Sequence, residues 1–209
     1  MGSKDTVTSS VIERNLAEAA LHRAKARGED RNEAYLQHQD FRSGHFTYSG
    51  VVHTEAVDGF LAALRSFSRE FPKKPILLEL KSPGGSIIDG FHFYDELMRL
   101  KSLGHKLTIR VHGMAASMGS VVLQAADVRE AGSNSWIMIH RGFMGAIGKT
   151  FEVEDSVEFM NKLENQIVDL FTARSKKPRK SFVDLFKKRK DIWFSAKEAL
   201  QFGLIDGVI

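Results

Sequence analysis

Apolar positions alternate from Phe46 to the C-terminus between the strand period of about two residues and the helix period of about 3.6. Residues 46–52 have the pattern of a strand. Residues 75–80 form a nearly continuous apolar run, which is typical of a strand buried on both faces of a parallel sheet. Two more apolar segments, 107–112 and 136–139, predict further buried strands. Strands that alternate with helices predict an α/β layered fold.

Between these strands, apolar residues at helical spacing predict amphipathic helices. The first stripe consists of Val57, Phe60, Leu61, Leu64 and Phe67, the second of Ile87, Phe91, Tyr94, Leu97 and Met98, and the third of Val153, Val157, Met160, Leu163, Ile167, Leu170 and Phe171. The third stripe predicts a long helix over residues 151–174. Residues 120–126 and 181–189 predict shorter helices, and 196–209 form a closing segment.

The first 45 residues have a different character from the rest of the chain. Ser10 and Glu13 form a capping-box signature, which predicts a helix over residues 11–27 that ends near Gly28. Residues 28–45 are polar and have the composition of a linker or mobile loop. We therefore expect an N-terminal helix and linker over residues 1–45 and one domain over residues 46–209.

Composition narrows the chemistry that the chain can perform. Its 209 residues are 43% apolar and 27% charged, as in an ordinary soluble globular protein. The chain has no cysteine, which excludes disulfides, thiolate catalysis and cysteine-ligated zinc. No apolar run approaches the ~18 residues of a membrane-spanning helix, and the polar N-terminus lacks the pattern of a secretory signal. A cytoplasmic location is the default expectation.

The net charge of +4 is unevenly distributed. Residues 174–190 contain nine lysines and arginines and a single acid, Asp184, so this segment carries +8 and the rest of the chain −4. Nucleic-acid binding surfaces often combine such a run with interleaved aromatic residues. Only Phe182 and Phe186 interrupt this one, at helical spacing. The pattern favours a solvated helix face or a subunit contact over nucleic-acid binding.

Residues 113–119, Gly-Met-Ala-Ala-Ser-Met-Gly, are the most informative segment for function. They place Ser117 between a buried strand and an apolar helix, among residues too small to crowd it. A serine on such a turn exposes its hydroxyl, and the N–H groups that follow it point toward the position of a developing oxyanion. The alternative interpretation is a simple contact between helix and sheet made by small residues.

Residues 82–85, Ser-Pro-Gly-Gly, form a second glycine signal at the end of a predicted strand. Ligands of α/β sheets bind at such strand ends, and the spacing matches neither phosphate-loop motif. A simple turn is the alternative. Because Ser117 follows the next predicted strand, the backbone N–H groups of Gly84 and Met118 become candidate oxyanion donors.

A histidine and a carboxylate are needed to activate the serine. His140 ends the strand over residues 136–139, where a general base would lie, although a histidine at a strand end is often structural. His112 is the rival. The spacing does not choose among the acids after His140, which are Asp155, Asp169, Asp184, Asp191 and Asp206. The chain order Ser–His–Asp differs from that of the α/β-hydrolases, which disfavours that fold.

Four ordered motifs over residues 46–209 resemble the Clp protease proteolytic subunit (ClpP) family. They are Ser-Pro-Gly-Gly-Ser at 82–86, Gly-Met-Ala-Ala-Ser-Met-Gly at 113–119, Met-Ile-His at 138–140, and Ser-Ala-Lys-Glu-Ala at 195–199 with Gly-Leu-Ile-Asp at 203–206. The resemblance implies Ser117 as nucleophile, His140 as base and Asp191 as the third triad member. It implies Gly84 and Met118 as oxyanion donors, and neither a metal nor a cofactor.

The same resemblance implies a fold of repeated β-β-α units with a projecting handle helix at about 151–174. It also implies a homo-oligomer of two stacked seven-membered rings that cleaves unfolded polypeptides, with an AAA+ unfoldase as partner. Three features depart from the family. Arg141-Gly142 replaces the usual Gln-Pro, Arg189-Lys190 replaces an acid–arginine pair, and residues 1–45 do not resemble the axial hairpin. The last departure predicts that residues 1–45 regulate entry or recruit a partner other than a standard Clp ATPase.

Four other functions would be compatible with this kind of fold, and features of the sequence bear on each of them. A phage-type head-maturation or scaffold protease would share the triad, and the unusual N-terminus points in that direction. An inactive ring partner or adaptor is disfavoured because all three triad positions are filled. A signal-peptide peptidase with a Ser–Lys dyad is disfavoured by His140 and by the lack of an apolar anchor. A crotonase-like acyl-CoA enzyme would not require the motif around Ser117.

Overall fold

One mixed β-sheet organises the part of the chain that the computed structural model describes, residues 40–143, 145–188 and 190–209. The predicted helix over 11–27 and residues 28–39 of the predicted linker lie outside these residues. In the described end of that linker, residues 40–43 are helical and His45 begins a strand, so this part is not a loop. Residues 44–209 form one compact unit. Among the described helices, none is both long and apolar enough to cross a membrane.

The sheet is parallel except at one edge. Its strands are β1 (His45–Ser49), β2 (Ile76–Ser82), β3 (Leu107–Ala116), β4 (Val128–Ala131), β5 (Trp136–Ile139), β6 (Ile192–Ser195) and β7 (Gly207–Val208). The helices are α1 (Thr54–Glu70), α2 (Ile87–Ser102), α3 (Met118–Leu123), α4 (Thr150–Arg174), α5 (Arg179–Lys187) and α6 (Ala196–Phe202). The parallel order is β1-β2-β3-β4-β7, and β5 joins β3 and pairs with the antiparallel β6. The predicted α/β fold is confirmed.

Strand β3 changes its neighbour half-way along its length. Its first half pairs with β4 and its second half with β5. The change occurs at Gly113, whose φ of +81° is the left-handed conformation that favours glycine. The Ser135 hydroxyl joins the two halves, since it donates to Val111 O at 3.0 Å and accepts from Gly113 N at 3.1 Å. The bend therefore brings the end of β3 beside the end of β5.

Helix α1 follows its predicted stripe, whereas the predicted face of α2 was only partly right. Of its predicted residues, Leu97 is buried, and Ile87, Phe91 and Tyr94 are half-buried. Helix α2 buries Phe93, Leu97 and Leu100, whereas Met98 is 40% exposed. The Phe93 ring packs against Tyr48 at a centroid distance of 5.0 Å, and this contact sets the rotation of the helix. Because three aromatic residues crowd residues 91–94, the sequence pattern was compatible with two neighbouring faces.

Other elements differ from the predictions mainly at their ends. Helix α3 occupies 118–123 rather than 120–126, and β3 extends past 112 to the residue before Ser117. Strands β4, β6 and β7 were not predicted. They have only two to four residues, which is too short to establish a period, and β4 also carries two charged side chains.

Helix α4 is buried only toward its C-terminal end. Ile167, Val168 and Phe171 are buried there. The N-terminal half leaves Val157 and Phe159 50% and 55% exposed. Val157 belongs to the predicted apolar stripe, whereas Phe159, two residues further on, lies on a different face of the helix. Exposure of stripe residues is what the predicted handle helix requires, because its partner would be another subunit.

A buried arginine joins the C-terminal segment to the sheet. Arg129 is 3% exposed, and its guanidinium donates to both carboxylate oxygens of Asp206, at 2.6 and 3.0 Å. It also donates to Gln124 Oε1 at 2.6 Å and to Gly203 O at 3.1 Å. Burial disfavours the charged form of Asp206. The hydrogen bonds and charge of Arg129 outweigh this effect and hold the pKa of Asp206 below its usual value.

We expect Asp206→Ala to lower the free energy of unfolding by about 3 kcal/mol, because it leaves a buried guanidinium without its counter-charge. Urea denaturation at pH 7 measures the change. Asp169→Ala is the control, since it breaks an exposed pair with Arg179 and should cost less than about 1 kcal/mol. Because the Asp206 pKa is lowered, the contribution is present above about pH 4 and is lost as the pH falls through that pKa. Equal losses in the two variants would contradict the prediction.

Candidate active site

Ser117 lies on a strained turn between β3 and α3. Its φ and ψ are 53° and −124°, a conformation that costs a non-glycine residue about 1–3 kcal/mol. A hydrogen bond from Ser117 N to Met138 O at 3.0 Å helps to hold it. The glycine loop approaches closely, since a Cβ on Gly84 would lie only 2.5 Å from Ser117 Cβ. The turn therefore exposes the hydroxyl and requires a glycine opposite.

His140 follows β5 and contacts the serine directly. Its Nε2 lies 2.8 Å from Ser117 Oγ, and its Nδ1 lies 3.2 Å from Asp191 Oδ1. A neutral imidazole with its proton on Nδ1 accepts from the hydroxyl and donates to the carboxylate. This is the arrangement that a general base requires before it removes a proton from the serine.

The antiparallel pairing of β5 with β6 brings Asp191 to the histidine. Ile139 is opposite Ile192 in the register of these strands. The residue after Ile139 is His140 and the residue before Ile192 is Asp191, so the two side chains become neighbours. The structure thus brings together Ser117, His140 and Asp191, while their catalytic roles stay a prediction.

The rival candidates lie elsewhere. His112 Nε2 is 3.6 Å from Glu79 Oε1, and about half of the His112 side chain is exposed. The competing acids pair with other cations or project from α4: Asp169 with Arg179, Asp184 with Lys180, Asp206 with Arg129, and Asp155 exposed on α4. None of these residues is placed to complete a triad with Ser117.

The two predicted oxyanion donors differ in their surroundings. Met118 is the first residue of α3, where a backbone N–H has no acceptor within the helix. The Gly84 N–H already donates to Ser82 Oγ at 3.1 Å, and that hydroxyl donates to Gly50 O at 2.7 Å. The next residue, Gly85, forms a parallel bridge with Val52. An oxyanion would therefore compete with Ser82 for the Gly84 proton.

A small cavity of about 20 Å³ lies beside Ser117 and His140. Most of its lining is apolar and consists of Ile87, Met118, Val121, Ile139, Ile167 and Phe171. This volume is close to that of a single water molecule. In the observed conformation it is too small to accept a substrate side chain.

Sequence reasoning missed one feature next to the site. Arg141 Nε donates to both carboxylate oxygens of Glu164, at 2.9 and 2.8 Å. The sequence identifies Arg141 only as a departure from the family. A signal for the partner was present. Glu164 is four residues after Met160 and three before Ile167, so it lies on the apolar face of the helix, where a carboxylate needs a cation.

Comparison with known proteins gives a consistent result over most of the chain. A family model described as Clp protease matches residues 28–209, a longer span than the motifs cover. The chain is 33% identical over 160 residues to the ATP-dependent Clp protease proteolytic subunit of Deinococcus radiodurans, with 76% of each chain covered. It is 31% identical over 179 residues to the ATP-dependent Clp protease proteolytic subunit 1 of Protochlamydia amoebophila, with 83% of this chain and 84% of the relative covered.

Proposed function

Because the chain belongs to the Clp protease family, we propose that it is a serine endopeptidase that cleaves polypeptides with Ser117, His140 and Asp191. The observation that carries this proposal is the pair of contacts from the imidazole, 2.8 Å to Ser117 Oγ and 3.2 Å to Asp191 Oδ1. The matched relatives are named as proteolytic subunits. The proposed peptidase domain is residues 46–209, preceded by the helix and linker over residues 1–45.

The proposed hydrolysis uses the contacts of His140 with Ser117 and Asp191. Ser117 Oγ attacks the peptide carbonyl carbon while His140 Nε2 takes the hydroxyl proton. The resulting imidazolium is stabilised by Asp191, and it returns the proton to the leaving amine as the C–N bond breaks. Water then loses a proton to Nε2 and attacks the acyl carbon. The bond from that carbon to Ser117 Oγ breaks, the imidazolium returns its proton to Oγ, and the second product leaves as a carboxylic acid.

Backbone N–H groups on two sides of Ser117 stabilise the oxyanion in this proposal. Met118 supplies one, and the glycine loop supplies the other. Gly84 can donate when its bond to Ser82 is shared or broken, and Gly85 is the alternative donor from the same loop. One such donor contributes about 3–4 kcal/mol to the stability of the transition state.

Active-site labelling tests the proposed function. A fluorophosphonate reacts with a serine only when the hydroxyl is activated, so peptide mapping after incubation should find the label on Ser117. Denatured protein is the control and should not react. Intact protein that takes no label would contradict the peptidase and agree with an inactive ring partner.

Asp191→Asn should lower kcat by about 10⁴, because an amide favours the wrong tautomer of His140. Hydrolysis of a short fluorogenic peptide measures the change. Asp184→Asn is a matched control, since this carboxylate pairs with Lys180 on α5 and should be dispensable for catalysis. Near-normal turnover by Asp191→Asn would remove Asp191 from the mechanism.

We also propose that the chain assembles into two stacked seven-membered rings through α4. The exposed apolar side chains of its N-terminal half support this contact. The names of the matched relatives describe them as ATP-dependent, and an AAA+ unfoldase is the corresponding partner class for this chain. The predicted role of residues 1–45 in entry or recruitment stays a prediction.

Val153→Glu combined with Val157→Glu should split the stacked rings into smaller species, because two charges would enter the same apolar face of α4. Light scattering measures the mass. Lys162→Glu is the control on the same helix. Its side chain is exposed and pairs only with the neighbouring Glu158 among the ion pairs of the described residues. An unchanged mass for the double variant would place this stripe outside the ring contact.

A further inference from the structure

The strand that leads to the proposed base ends at the residue before it. Strand β5 ends at Ile139, and helix α4 begins at Thr150. Between them, the described residues 140–143 and 145–149 belong to no strand or helix. His140 is therefore held by the sheet only on its N-terminal side, and its position depends on what restrains the residues that follow.

The first side chain after His140 provides such a restraint. Arg141 Nε donates to both oxygens of Glu164, and its Nη2 donates to Asn161 Oδ1 at 3.1 Å. Glu164 and Asn161 occupy successive turns of α4. Gly142 lies against the same helix, since a Cβ there would come within 3.3 Å of Met160 Sδ. The segment is thus attached to α4 by charge and by close packing.

The burial of Glu164 makes this attachment specific. Glu164 is 8% exposed, and a buried carboxylate without a cation is strongly destabilising. The carboxylate therefore holds the guanidinium at one place on the helix. The Arg141 Nε–H is shared between the two oxygens of Glu164, and Nη2 adds a second donor to Asn161, so the guanidinium is held at two points of α4.

We propose that the Arg141–Glu164 pair is a positioning device, which holds His140 so that its Nε2 stays at hydrogen-bonding distance from Ser117 Oγ. This inference rests on the proposed function. Neither residue contacts the reacting atoms in the mechanism above. The pair acts through the backbone between Arg141 and His140, and it makes the geometry of the triad depend on the position of α4.

Loss of the Arg141–Glu164 contact should slow catalysis independently of its effect on stability. Misplacement of a catalytic group by about 1 Å costs up to about 100-fold in rate. Arg141→Met should therefore slow fluorophosphonate labelling of Ser117 by roughly 10- to 100-fold. With a short peptide, kcat should fall by a similar factor while KM changes less than about twofold, because the substrate contacts remain.

A double variant separates positioning from stability. Arg141→Met leaves Glu164 unpaired and should lower the unfolding midpoint in urea. Arg141→Met with Glu164→Leu removes both charges. It should recover that midpoint, because an apolar side chain then replaces the buried carboxylate, while the Arg141 side chain is 42% exposed. The recovered protein should still label slowly, since the hydrogen bonds from residue 141 to α4 are absent. Labelling that recovers together with stability would overturn the proposal.

Arg179→Gln is the matched control. It removes another arginine bound to α4, whose side-chain partners among the described residues are Asp169 and Asn165 rather than the segment after His140. This variant should label at the wild-type rate. If Arg141→Met also labels at the wild-type rate, the positioning role is wrong and the peptidase stands. If the wild-type protein does not label, the proposed function itself is wrong.

Discussion

Ser117→Ala should abolish peptide hydrolysis, with kcat lower by about 10⁶. The reason is that the change removes the atom that attacks the carbonyl and the proton that His140 accepts. The fold should survive because alanine occupies the same strained backbone without added volume, and the bond from residue 117 N to Met138 O remains. Hydrolysis of a short fluorogenic peptide measures the loss of activity, and the unfolding midpoint in urea measures whether the fold survives.

Ser102→Ala serves as the control for this variant. Ser102 is an exposed serine at the end of α2, and its hydroxyl donates only locally, to Arg99 O at 2.7 Å. Its activity should equal that of the wild type. Turnover by Ser117→Ala above that of a mock preparation would exclude Ser117 as the nucleophile, whatever happens to its stability.

His140→Ala should be nearly as damaging as the loss of the serine, because the members of a triad act as a unit. The variant leaves Ser117 Oγ without an acceptor for its proton, although the hydroxyl remains in place. We expect kcat for the short peptide to fall by about 10⁶, and fluorophosphonate labelling of Ser117 to fall with it. The labelling readout shows that the serine itself has lost its reactivity.

His112→Ala is the matched control for the histidine variant. His112 lies at the end of the first half of β3, only five residues before Ser117, and its imidazole faces Glu79 rather than the serine. This variant should retain nearly full activity. A larger loss in His112→Ala than in His140→Ala would mean that the wrong histidine has been assigned as base.

Much of the fold could be predicted because its elements are long and periodic. The apolar run in β2 and the stripe of α1 each have a single reasonable interpretation, and both occur where expected. The N-terminal half of α4 was more informative still. Its stripe continues beyond the part that packs on the protomer, and the proposed contact between subunits rests on this observation.

For the site, the sequence determined the residue types and the order of the motifs. From the residues alone, Ser117 on a strand-to-helix turn and His140 at a strand end were candidates, but five acids competed for the third position. The resemblance selected Asp191. The structure gives the physical reason for this placement: the register of β5 with β6 makes Asp191 the neighbour of His140.

Only the tertiary structure decided the features that depend on pairing between distant segments. The buried face of α2 includes Phe93, which packs against Tyr48. The Gly84 N–H donates its hydrogen bond to the Ser82 hydroxyl, a contact that the sequence did not indicate. The bond between Arg141 and Glu164 joins residues that are 23 positions apart. Periodicity reports which side of an element is apolar. It does not report which polar groups meet across the fold, because that is determined by strand register and helix position.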